Sequence, residues 1–141
     1  MTAWPTEVYD LLRNANVSHI GYVPDAGLSP LIDLAQADEA MVATVCTTEE
    51  ESIAISTGTW LGGMRSAVMM QSSGVGNCIN MLSLPVLTRS PLLMLVTMRG
   101  EWAEFNPWQV PMGNATETAL QAIGVTTLRV DAAADVAPTV A

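Results

Sequence analysis

Residues 66–77 read Ser66-Ala67-Val68-Met69-Met70-Gln71-Ser72-Ser73-Gly74-Val75-Gly76-Asn77, and this stretch decides the fold. Ser66 to Gln71 is an uncharged, mostly apolar run, too short for a core helix and suited to a strand covered on both faces. Ser72 to Asn77 is then a turn of small polar residues and glycine, leading into a helix that ends before Pro91. Strand, turn and helix in that order form the repeating unit of a parallel sheet.

The same unit recurs on both sides. Upstream, a helix from about Thr6 to Asn14 precedes a strand over His19–Val23, closed by the turn Pro24-Asp25-Ala26-Gly27. Ser29 is positioned to cap the next helix, with Pro30 at its first position. A strand over Met41–Cys46 leads to a helix over Glu49–Leu61. That helix opens on Thr48-Glu49-Glu50-Glu51, where Thr48 and Glu51 form a capping box, and it stops at Gly62-Gly63. Downstream come a strand over Leu92–Met98, a polar loop over Arg99–Met112, a helix over Asn114–Ile123 and a fifth strand over Val125–Val130. The expected architecture is α/β: a doubly wound, mostly parallel sheet with helices on both faces. Ligands of such sheets sit beyond the carboxyl ends of the strands. Pro24-Asp25, Thr47–Glu51, Gln71–Asn77 and Arg99–Gln109 should therefore converge.

One domain over residues 1–141 accounts for the length. After Val130 only Asp131–Ala141 remain, too few for a full crossover helix, so the domain is expected to be cut short or completed by contacts elsewhere. The formal charge of -9, from five basic and fourteen acidic residues, gives no basic face for nucleic acid or anionic lipid. The longest apolar run, Pro91 to Met98, is far below the roughly 20 residues of a spanning helix, and the first residues lack a signal-peptide pattern. A cytoplasmic protein is expected. Half the residues are hydrophobic and 13% charged, which suggests an apolar patch covered by another subunit. Cys46 and Cys78 make no disulfide framework and read as buried thiols. With His19 alone, neither a zinc set nor a Ser-His-Asp triad can be assembled, and no metal ligands are expected on this chain.

Several residues have both a structural and a chemical reading. Glu49, Glu50 and Glu51 at a helix start stabilise the macrodipole; Glu49, nearest the strand end, can instead turn into the crevice and share a proton with a ligand nitrogen. The Ser72–Asn77 stretch is either tight-turn geometry or a ligand contact. It lacks the third glycine of a dinucleotide fingerprint, since position 79 is Ile79, and it lacks a phosphate-loop Lys. Arg99 pairs with Glu101 or Glu104, or captures an anionic substrate. Trp102, Phe105 and Trp108 form a lid or an interface patch. Asp25 is a turn aspartate or a proton relay.

Taken together, Val23-Pro24-Asp25 with Leu28 and Pro30-Leu31-Ile32, Thr48–Glu51 with Gly58, Gln71–Asn77 with Asn80, and Arg99-Gly100-Glu101 followed by Gln109–Gly113 carry a resemblance over almost the whole chain. The sequence resembles the pyrimidine-binding domain of thiamine diphosphate enzymes, closest to the sulfopyruvate and phosphonopyruvate decarboxylases. In that superfamily an acid after the second strand touches the cofactor pyrimidine, and a glycine follows nine positions later; counting back from Gly58 selects Glu49. The resemblance implies that a protonated Glu49 donates to the pyrimidine ring nitrogen, with Asp25 as a proton relay. It implies cofactor contacts from Ser73, Gly74, Gly76 and Asn77, and substrate contacts from Arg99 and Gln109. Gly-Asp-Gly, the family's magnesium and diphosphate motif, is absent. The resemblance therefore implies a separate beta-type chain holding Mg2+ and the diphosphate, and a hetero-oligomer active only when both are present. The implied reaction is decarboxylation of 3-sulfopyruvate to sulfoacetaldehyde. 3-Phosphonopyruvate is the alternative substrate, disfavoured because Gln109-Val110 stands where those enzymes carry Gln-His. A noncatalytic α/β binding or dimerisation module is the rival from another class.

Overall fold

The computed structural model describes residues 3–141. The elements run α1 (Trp4–Asn14), β1 (Val17–Tyr22), α2 (Ser29–Ala37), β2 (Val42–Val45), α3 (Glu49–Leu61), β3 (Arg65–Gln71), α4 (Ser72–Cys78), α5 (Ser83–Thr88), β4 (Leu93–Thr97), a 3-10 turn (Pro107–Gln109), α6 (Val110–Ala122) and α7 (Ala133–Val140). All strand pairs are parallel, in the order β2-β1-β3-β4. Strand alternation in β3 shows both faces covered. Ala67 and Met69 join Ile20, Val8, Leu12 and Leu31 in one core, whereas Val68 and Met70 join Ile53, Val75 and Leu120 in the other. The first core lies under α1, α2 and α7, the second under α3 to α6.

The chain leaves β1 towards β2 on one side and returns through α3 to place β3 on the other. The order thus reverses between β1 and β3, and a crevice opens outside their carboxyl ends. β2 and β4 are edges, and Val42 and Val45 stand well exposed, unlike the buried interior of β3.

Several local expectations need correction. Val125–Val130 has β-branched residues but pairs with no strand, so the sheet of the described residues has four strands, not five. Asp131–Ala141, too few for a full crossover helix, form the eight-residue α7, whose Ala137 closes the core beside α1. The Ser72–Asn77 stretch is helix from its first residue, and the helix running to Pro91 is two pieces, α4 and α5. α6 begins at Val110 rather than Asn114, because Pro111 fits its first turn. Ser29 lies inside α2 and its hydroxyl donates back to Ala26 O; the Leu28 N–H is taken by Asp25 Oδ1 instead. Thr48 makes no side-chain cap, and Glu51 Oε2 accepts from Thr47 N at 2.7 Å, one residue before the expected donor.

A candidate active site at the carboxyl end of the sheet

The four polar stretches meet outside the strand ends. Asp25, following β1, accepts from Gly27 N at 2.9 Å, Leu28 N at 3.2 Å and, across the crevice, Thr97 Oγ1 at 2.9 Å. All three bonds fall on Oδ1, so that oxygen orders the turn and ties it to β4. Arg99, following β4, donates its backbone N–H to Ser72 Oγ at 2.9 Å and a guanidinium N–H to Gln71 Oε1 at 3.2 Å. Ser72 is fully buried. Ser73, half-buried beside it, is the residue that the resemblance selects for the cofactor.

Glu49 is the first helical residue of α3, set by the short crossing from the end of β2. Its side chain turns into the protein and is only 9% exposed. Asn77 Nδ2 donates to Glu49 Oε2 at 3.0 Å. Gly74, one turn earlier on α4, gives the carboxyl its place: a Cβ there would overlap Glu49 Cγ, Cδ and Oε1. A glycine that reads as a turn residue thus serves to admit a neighbouring side chain. Gly76 is exposed and would meet only the flexible Met112 sulfur, at 3.1 Å. Burial, followed by the charges of Glu49 and Glu50, pushes the Cys78 thiol up to about 12, so it stays protonated beside the site. Cys46 is likewise buried and raised by burial.

The loop after β4 is organised by Glu104, a residue whose role the sequence reading left open. Its carboxylate takes Arg99 Nε at 2.8 Å and the Arg99 NH2 group at 2.7 Å, together with Gly100 N at 3.0 Å and Asn106 N at 2.9 Å. The Arg99 guanidinium, first among these, holds the Glu104 carboxyl down at about 2. Glu101 turns away and pairs with Arg129 at 2.7 Å. Arg99 therefore spends three of its five N–H groups on Glu104 and Gln71, and Phe105 lies 5.6 Å from its guanidinium carbon. Trp102 and Phe105 are 92% and 88% exposed. Gln109 is buried, and its Oε1 accepts no hydrogen bond from any described residue.

Two clefts open at opposite ends of the sheet. The roomier, about 670 Å3, is an apolar one at the opposite, amino end of the sheet, lined by Leu12, Val17, Trp60 and Leu93. The shallower, about 410 Å3, lies at the carboxyl end between Tyr22, Pro24, Asp25 and Asp33. Chemistry, rather than size, places the site at the carboxyl end. Among the described residues no group of three or more His, Cys, Asp or Glu side chains is arranged to hold a metal ion, and no helix is long and apolar enough to cross a membrane.

A parallel sheet with this strand order, covered on both faces and carrying a buried glutamate at its carboxyl end, is an α/β domain consistent with the pyrimidine-binding type of thiamine diphosphate enzymes. The chain belongs to the family of sulfopyruvate decarboxylase alpha subunits. It is 35% identical to sulfopyruvate decarboxylase subunit alpha of Methanocaldococcus jannaschii over 123 residues, covering 86% of this chain and 73% of that one. A sulfopyruvate decarboxylase of Methanosarcina acetivorans is 30% identical over 121 residues, 85% of this chain but 31% of its own. A phosphonopyruvate decarboxylase of Streptomyces hygroscopicus is 36% identical over 107 residues, 74% of this chain and 27% of its own. No family model matches the chain.

Proposed function

We propose that this chain is the subunit of a thiamine diphosphate-dependent decarboxylase that meets the pyrimidine end of the cofactor, that its substrate is 3-sulfopyruvate, and that a beta-type partner chain holds Mg2+ and the diphosphate. The observation that carries this reading is Glu49, a carboxyl group almost wholly out of water at the carboxyl end of a parallel sheet and held by a single donor. A carboxyl so placed can exchange a proton with a ring nitrogen brought against it. The residues present fit a pyrimidine edge, since Gly74 and Asn77 fix the carboxyl, and Gln109 Oε1, on the substrate side, is a buried acceptor without a partner among the described residues. When bound, thiamine diphosphate supplies the electron sink through which a 2-oxo acid loses CO2.

This chain's own residues bind, orient and move protons. Glu49 holds the proton at the pyrimidine ring nitrogen, and Ser73, Gly74 and Gly76 bring backbone close to the ring. Asp25, whose Oδ1 is committed, relays a proton through Oδ2. Arg99 offers the sulfonate its remaining N–H groups, next to Gln109. The partner is supported by the name of the relatives, subunit alpha, and by the Methanosarcina acetivorans protein, of which this chain matches only 31%. The expected assembly is a hetero-oligomer in the cytoplasm.

The test uses the chain co-purified with its partner and measures CO2 and aldehyde release from 3-sulfopyruvate, 3-phosphonopyruvate and pyruvate. Sulfopyruvate should be preferred, and Glu49→Gln should lower kcat by about 10²–10⁴-fold with an unchanged Tm. Survival of activity in Glu49→Gln, with collapse in Glu50→Gln or Glu51→Gln, would move the acid by a residue. Arg99→Ala should cost at least tenfold more kcat/KM on sulfopyruvate than on pyruvate. An equal loss on both would confine Arg99 to holding the loop through Glu104.

A further inference from the structure

Residues Gly74 and Asn77 lie three apart on α4, hence on one face of the helix, and both address the carboxyl of Glu49 across the gap from α3. We infer that Asn77 is a positioning residue that decides which oxygen of Glu49 carries the proton. The inference rests on Glu49 being the proton-holding group of the proposed reaction. An amide N–H can only donate, so Oε2, which receives Asn77 Nδ2 at 3.0 Å, is committed as an acceptor. A proton on the carboxyl is thereby directed to Oε1, the atom lying over Gly74 where no side chain intervenes. The carboxyl is held by a glycine that leaves space and an amide that takes one oxygen, so Oε1 is the oxygen left to carry the proton. The nearby ionisable groups are Glu50 and Glu51 on α3 and Cys78 on α4, and the thiol is protonated. Asn77 is itself solvent-exposed at the mouth of the site, so replacing it removes a donor without opening the core.

Two variants separate direction of the proton from packing. Asn77→Ala removes the donor. Asn77→Asp keeps the shape but replaces the donor with a second carboxylate, and two carboxylates in contact hold a proton between them. The proton then sits on Oε2, between the two carboxylates, and not on Oε1. In the partner-containing holoenzyme, kcat should fall about tenfold in Asn77→Ala and about a hundredfold in Asn77→Asp, with KM for the oxo acid within twofold and Tm unchanged. A second readout needs no turnover. In the 15N–1H spectrum of the chain without cofactor, the Asn77 side-chain amide should shift in Glu49→Gln and stay in place in Glu50→Gln. Asn77→Asp with wild-type kcat, or an Asn77 amide indifferent to Glu49→Gln, overturns the inference. A dead Glu49→Gln enzyme alongside unaffected Asn77 variants would refute this inference alone. An active Glu49→Gln enzyme would refute the functional reading beneath it.

Discussion

Gly74→Ala sets two calculable effects against each other. Gly74 has no positive φ, so alanine suits its backbone and should favour α4 by about 0.5–1 kcal/mol. The added methyl would nevertheless occupy the space of Glu49 Cγ, Cδ and Oε1. Glu49 must then swing out, losing the Asn77 hydrogen bond, worth about 0.5–1.5 kcal/mol, and uncovering its stem, which adds about 0.8 kcal/mol per methylene. The second effect is larger, and a net destabilisation of about 1–2 kcal/mol corresponds to a Tm lower by roughly 3–6 °C for a domain of this size. The functional loss should be far larger than the stability loss, about 10²–10⁴-fold in kcat, because the carboxyl no longer stands in the crevice. The assay pairs thermal melts of the isolated chain with kcat of the assembled enzyme. Gly58→Ala is the control, since nothing lies within 4 Å of where its methyl would sit, and it should change kcat less than about threefold. A Gly74→Ala variant that is more stable by the full helix-propensity gain and fully active would refute the placement of Glu49.

The Glu104 carboxyl is held below its unfolded value, so its contribution to stability is complete above about pH 4.5 and is lost as pH falls through about 2. Fluorescence of Trp102 and Trp108 should report this acid transition, and Glu104→Gln should remove it and loosen the loop at neutral pH. Gly113→Ala should destabilise the chain by about 1–3 kcal/mol, because its methyl would overlap the backbone oxygen of Arg99. Gly58→Ala, with open space around its position, should stabilise the isolated chain by about 0.5–1 kcal/mol; chemical denaturation of both variants checks the pair.

Elements whose ends are marked by local chemistry were legible. The bounds of α3 follow from three acids at its start and Gly62-Gly63 at its end, and β3 from its buried apolar run. Val125–Val130 misled because β-propensity reports a side chain's fit to a pleated surface, while pairing needs a neighbouring edge that local sequence does not specify. α4 misled because Gly74 and Gly76 read as turn residues, and only the tertiary approach of Glu49 explains the first of them. In the candidate site, the resemblance selects Glu49 through its spacing to Gly58, and the structure buries that side chain. The resemblance gives Asn77 a cofactor contact, and the bond of its side chain to Glu49 is a tertiary contact that no local pattern announces. Ser72 was passed over for Ser73, although the alternation Val68, Met70, Ser72 points it inward, where it takes the Arg99 N–H. Glu104 was one of two possible partners for Arg99, and sequence gave no means of choosing between them.

The loop from Arg99 to Gln109 shows its hydrophobic rings to solvent while its own carboxylate holds it together. Four N–H bonds to Glu104, two from Arg99 and two from the backbone, fix its course while Trp102, Phe105 and Trp108 stay largely exposed. The loop's conformational entropy is therefore given up when the chain folds, not when something touches the rings. A surface meeting those aromatics encounters a preorganised face, so little further ordering of the loop backbone opposes association.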